Sequence, residues 1–303
     1  MKNTDEQSFY ERSKEYAIEK LAKEHYIDKE KCSPEEAKEK AKQRIEALIK
    51  PAVIYDIRHS ETTLEGIYKR LLISCQNRQQ MPNVIKFNKN EKEFSDILKS
   101  FNPFEVSKET EEKLYVKFTS IPKFNVNTRH HKNWENFAKS VLDSAKFVSR
   151  FKKVEDFKKM IENLDAHFQG SLVLPRLISG EIRGIGLALA CDFLKEIGYV
   201  EYPKPDVHIK DIIGQLFFKK TKNDKPITDE EAIFKVREIA NNANVSAFAV
   251  DKILWLIGSG KYYGVNGIEG DIEISADRQE FINEIKKESP FYLYTSRIDA
   301  FVL

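Results

Sequence analysis

The chain has 303 residues, 41% hydrophobic and 32% charged, enough apolar material for one large core or two ordinary ones and too much for a disordered chain. Lys and Arg number 50 against 48 Asp and Glu, a net charge of +2, so the overall charge does not announce a nucleic-acid partner and local patches must carry any such signal. There is no membrane-length apolar run, no signal-peptide pattern at the start, and no C-x-x-C pairing among Cys32, Cys75 and Cys191. These readings predict a cytoplasmic chain with no membrane span, no disulfide framework and no metal or cluster, whose chemistry comes from oxygen and nitrogen side chains.

In chain order, the first fifty residues carry Tyr10, Tyr16, Ile18, Leu21, Ala22 and Tyr26 at helical spacings. A second helix opens at Ser33-Pro34-Glu35-Glu36, a capping box with proline at the first helical position. Alternating charge signs predict a solvated helical hairpin here, an N-terminal extension over 1–55 away from the chemistry. Ala52-Val53-Ile54-Tyr55 has strand character. Helical periodicity then recurs over 62–76, 91–100, 107–118, 131–148, 153–163 and 171–178. It continues over 187–198, 207–218, 229–242, 246–258 and 276–288, with N-caps predicted at Thr228, Ser246 and Ser275. The expected fold class is all-α, about a dozen helices, with one further weak strand signal at Ile272/Ile274.

Three segments invite chemical readings. Arg78-Gln79-Gln80-Met81-Pro82-Asn83 is amide-rich, and Gln79, Gln80 and Asn83 can read the edge of an extruded base or knit their own loop together. The stretch from Ile121 to Trp134 mixes basic, aromatic and amide groups, which suits phosphates and unstacked bases as well as a plain solvated loop. Most informative is Ile182-Arg183-Gly184-Ile185-Gly186-Leu187, where two helices meet around a G-x-G turn. Its amides, at the start of the second helix, suit an anion such as a DNA phosphate; an ordinary helical corner also needs glycine for its turn. Twenty residues after Gly186, Asp206 stands at a helix N-terminus entered through Pro203 and Pro205, an N-cap that also feels the positive end of the helix dipole.

These residues resemble the helix-hairpin-helix DNA glycosylase superfamily, the group of the endonuclease III-like fold. Ile182-Arg183-Gly184-Ile185-Gly186 is similar to the family's L-P-G-V-G, and Pro205-Asp206-Val207-His208-Ile209 to its V-D-x-H-V. Leu72-Ile73-Ser74-Cys75-Gln76-Asn77 is similar to the early L-L-S-x-Q, and Leu254 to Tyr262 to the late W-L-I-x-x-G-R-Y, all four in family order. Residues 1–55 and 265–303 have no counterpart.

The resemblance implies a helical domain over 56–204 ending in the hairpin and a second over 205–303 that begins with the catalytic carboxylate, Asp206. It implies that Gly184, Ile185, Gly186 and Leu187, with Arg183, grip the DNA backbone, and that Gln76 borders the space an extruded base vacates. His208 joins the base-pocket candidates, with a structural role near the helix start as the other reading. The family's Schiff-base lysine slot, two residues past the second hairpin glycine, holds Ala188, and its cluster-binding cysteines are missing after Tyr262. The expectation is therefore a monofunctional glycosylase that needs no cofactor and acts as a monomer on duplex DNA with one flipped base. Lys195, Lys204 and Lys210 are expected at the surface. Two rivals are a non-catalytic hairpin DNA-binding protein and a defence glycosylase acting on modified phage bases.

Overall fold

A computed structural model describes residues 5–49, 63–78, 81–124, 126–165, 170–218, 226–262, 272–275 and 277–288. Gln79, Gln80 and the strand-like stretch 52–55 lie outside them. The described residues are overwhelmingly α-helical: α1 (Asp5–Leu21), α2 (Pro34–Ile49), α3 (Leu64–Gln76), α4 (Met81–Ile85), α5 (Glu91–Ile97), α6 (Pro103–Val106), α7 (Glu111–Thr119), α8 (His131–Val148), α9 (Val154–Asp165), α10 (Gly170–Glu181), α11 (Leu187–Glu196), α12 (Val207–Phe217), α13 (Asp229–Ala243), α14 (Ala247–Ser259) and α15 (Arg278–Glu288). One antiparallel pair, β1 (Lys261–Tyr262) with β2 (Ile272–Glu273), is the extent of sheet among them, in register Lys261 to Glu273. No described helix is long and apolar enough to cross a membrane.

The helices begin where their caps place them. Thr63 accepts the Gly66 N–H, Thr110 the Lys113 N–H, and Asn102, ahead of Pro103, the N–H groups of Phe104 and Glu105. Thr228 and Glu231 form a full capping box, and Ser246 accepts from Ala249. Two caps differ from expectation. Ser33 accepts the Glu36 N–H, but the Glu36 carboxylate pairs with Lys40. The last helix is capped by Asp277, which accepts from Glu280, while the N–H of Ser275 goes to Glu24.

The chain divides into two compact units, one continuous over Ile57–Tyr199 and one assembled from Met1–Asp56 with Val200–Leu303. In the continuous unit, α8 carries the core with Trp134, Phe137, Ala138, Val141, Leu142, Ala145, Phe147 and Val148 buried. Phe94 stacks on Phe87, Phe124 and Trp134, at ring separations of 4.8, 4.9 and 6.3 Å. Trp134 and Phe124 are therefore core residues, and the loop ahead of α8 has no free aromatic of theirs to offer a base.

In the discontinuous unit, α1 packs on α13, α14 and α15, and α2 on α14. Phe9 is fully buried against Phe217 and Phe281, and Lys235, only 4% exposed, pairs with Glu6 at 2.8 Å. The N-terminal helices supply about a third of a core and are not a solvated extension. Their charged majority lies outward while Phe9, Tyr10, Tyr16, Leu21, Ala37, Ala41 and Ile45 form a continuous inner stripe. In α13 and α14, Ile239, Phe248, Ile253, Leu254 and Leu256 are buried, whereas Phe234 and Trp255 are half-exposed.

Candidate functional site

Two local structures carry the sequence motifs, one in each unit. In the continuous unit, α10 ends at Glu181 and the chain turns back into α11 through Ile182–Gly186. Gly184 has φ +90°, and a Cβ on it would lie 2.9 Å from Ser140 Oγ and 3.2 Å from Arg78 Nη1, so conformation and space both demand glycine. Gly186 differs. Its φ of −91° suits any residue and nothing lies within 4 Å of a Cβ there, so the fold leaves the mouth of α11 open.

No side chain caps α11. The N–H groups of Gly186, Leu187, Ala188 and Leu189 have no acceptor among the described residues, the first downstream bond being Ala190 N–H to Gly186 O. The Ile185 N–H donates to Ile182 O and its side chain is buried, so Ile185 shapes the turn and leaves the open donors to its neighbours.

The hairpin is braced from α8. Ser140 Oγ donates to Arg183 O at 2.6 Å, and Asp143 accepts from the Arg183 N–H. Arg183, expected at the DNA backbone, directs its guanidinium to Asp143 at 2.7 and 2.8 Å and to Glu111 at 2.6 Å. The hydrogen bonds to Asp143 and Glu111 hold that charge still more firmly than usual. Its role in this structure is to fasten the hairpin, a signal that sequence spacing did not contain.

Gln76 is buried, and its side-chain oxygen accepts the Phe87 N–H at 2.9 Å, which ties the end of α3 to the segment after α4. Asn83 is exposed on α4. Cys75 is buried and burial pushes its thiol up to about 12, which leaves it protonated and unreactive. Lys195, expected at the surface, is 5% exposed and pairs with Asp192 at 3.5 Å.

In the discontinuous unit, Asp206 caps α12: one carboxylate oxygen, Oδ1, accepts the N–H groups of His208 and Ile209 at 2.9 and 3.0 Å. The second oxygen, Oδ2, has no hydrogen-bond partner among the described residues, and the residue is half-buried. The approach is anchored to α14, since Phe248 N–H donates to Val200 O and buried Asp251 accepts the Lys204 N–H at 3.2 Å. Asp206 N–H in turn donates to Lys204 O. Sequence reading missed Asp251, although a lone acid in the apolar run AFAVDKILWLIG is a signal for a buried carboxylate with a backbone partner.

His208 stacks close over α14, its Cβ 2.5 Å from where a Cβ on Gly258 would stand. Burial pushes its imidazole below the ordinary value of 6.5, opposed by the Asp206 carboxylate, and Nδ1 is buried with no hydrogen-bond partner. No group of three or more His, Cys, Asp or Glu able to hold a metal ion occurs among the described residues.

The described residues thus combine an all-α fold, a glycine turn between two helices and an aspartate-capped helix, and the comparisons with known proteins find the following similarities. The chain is 25% identical over 120 residues to the 8-oxoguanine DNA glycosylase/AP lyase of Picrophilus torridus, a match covering 39% of this chain and 54% of the relative, so it spans about half the length of that curated protein. Among solved structures, an 8-oxoguanine glycosylase/lyase of Methanocaldococcus jannaschii in complex with a 15mer DNA containing 8-oxoguanine aligns over 80% of this chain and 97% of its own, at 17% identity and a TM-score of 0.41. No protein-family model matches the chain.

Proposed function

We propose that the protein is a DNA glycosylase that hydrolyses the N-glycosidic bond of a modified or mispaired base, with Asp206 as its catalytic carboxylate. The observation that carries the reading is the division of labour within that side chain: Oδ1 is fixed by two backbone N–H groups at the start of α12, while Oδ2 has no protein partner among the described residues. A carboxylate held by one oxygen keeps the other available to stabilise positive charge on a deoxyribose and to orient or deprotonate an attacking water. The target base has to leave the duplex stack for its bond to be reached. In this reading the open amides of Gly186 and Leu187 take a backbone phosphate.

The nucleophile is water. Ala188 stands where the family's lysine would, and Lys195, two turns further along α11, is buried against Asp192. The expected product is an intact strand with an abasic site. The P. torridus relative is named both glycosylase and AP lyase, so 8-oxoguanine heads the list of substrates to test and strand cleavage is tested separately.

A panel of duplexes, each with one oxidised, alkylated, deaminated or hypermodified base, is assayed for alkali-sensitive sites. Release by the parent protein should fall by about 10³-fold in Asp206→Asn, within the range for positioned acid–base groups, with DNA binding retained. Strand cleavage without alkali and covalent trapping by borohydride would rule out the water mechanism. Binding without base release on any duplex would leave a DNA-binding protein. Release confined to hypermodified bases would assign the defence role.

A further inference from the structure

The geometry points to Arg78 as a second phosphate-binding group beside the hairpin, an inference that rests on the DNA-glycosylase reading and adds a residue to it. Arg78 follows α3 and lies two residues past Gln76. Its side chain runs across the hairpin, with Nη1 3.2 Å and Cδ 3.9 Å from the position of a Cβ on Gly184. The missing side chain of Gly184 therefore does two things: it permits the left-handed turn and it makes room for a guanidinium against the backbone.

The two arginines at this turn are in opposite states. Arg183 is saturated by Asp143 and Glu111. Arg78 has no ion pair and no side-chain hydrogen bond among the described residues, and its guanidinium nitrogens are not buried. Holding an arginine stem in a packed position costs side-chain entropy, and here no carboxylate offsets that cost. A guanidinium placed at Gly184, in the same turn whose following amides, Gly186 to Leu189, have no acceptor among the described residues and whose Gly186 faces open space, matches a phosphate oxygen pair in charge and in donor geometry. Arg78 thus binds the same DNA backbone as the hairpin amides and makes a charge-assisted contact that they cannot.

The test needs no knowledge of the target base. Affinity for an undamaged duplex is measured by fluorescence anisotropy over a series of salt concentrations for the parent protein, Arg78→Met and Arg78→Lys. Loss of one phosphate contact reduces the slope of log K against log salt by about 0.9 and weakens binding roughly tenfold at low salt in Arg78→Met. Arg78→Lys keeps the slope. A parent slope retained in Arg78→Met, with unchanged melting temperature, overturns the role of Arg78 alone. A parent protein without salt-dependent duplex binding overturns the DNA reading and Arg78 with it.

A second measurement needs no variant. Phenylglyoxal should modify Arg78 in the free parent protein, and saturating duplex should protect it. Equal modification with and without DNA overturns the proposal.

Discussion

Gly184 and Gly186 look equivalent in the sequence, two glycines around one isoleucine, yet they answer to different demands. Gly184→Ala forces an L residue to φ +90° and drives its methyl to 2.9 Å from Ser140 Oγ. That substitution should cost about 2 kcal/mol or more, read as a fall in melting temperature. Gly186→Ala meets neither obstacle; it should leave melting unchanged and lower only the affinity for DNA, because a methyl then occupies the open mouth of α11. Equal destabilisation by both would contradict the distinction.

The cap at Asp206 was legible because its determinants are neighbours in sequence: two prolines before it and the first turn of α12 after it. The states of Arg183 and Gln76 were not legible, since their partners Asp143 and Phe87 come from other elements. His208 gives a pH signature. The folded imidazole resists protonation below its ordinary 6.5, whereas the unfolded chain takes the proton up, so its contribution to stability is complete above about pH 6.5 and declines as pH falls below it. Between pH 8 and pH 5 the urea midpoint of the parent protein should drop further than that of His208→Gln, and parallel curves would refute this.

At the scale of elements, helix positions were largely readable because caps and periodicity are local, and the Thr228–Glu231 box and Ser246 sit where their spacing puts them. What each helix packs against was less so. The abundance of charge on α1 hides a narrow apolar stripe, and only the tertiary structure shows Phe9 between Phe217 and Phe281. Phe9→Ala should therefore destabilise the protein by about 3–5 kcal/mol, the cost of truncating a fully buried aromatic, measured by chemical denaturation. A solvated helix would lose almost nothing. Likewise, the aromatics on either side of the loop before α8 read as candidates for base contact until the stacking of Phe124 and Trp134 on Phe94 assigned them to the interior.

The molecule as a whole is built with its central stretch, nearly half of the chain, as one continuous unit and its two outer segments as another. Which residues the N-terminal segment packs on could not be read from the sequence, because a pairing between residues more than two hundred positions apart leaves no local trace. Residues 57–199 produced alone should unfold cooperatively with a defined melting transition. Residues 200–303 alone should lack one, and should acquire it when the 1–56 segment is supplied in trans. A stable 200–303 fragment would refute that interdependence.

The interleaved chain path also sets a timetable for biosynthesis. The apolar face of the first helix emerges from the ribosome early, yet its ring partner Phe281 is made 272 residues later than Phe9. At elongation rates of about 5–20 residues per second, that surface stays uncovered for roughly 15–50 seconds while the intervening unit is free to fold. Nascent chains of this protein should consequently depend on chaperones that shield an early helix, and ribosomes stalled before the last helix should hold a finished central unit flanked by an unfinished one.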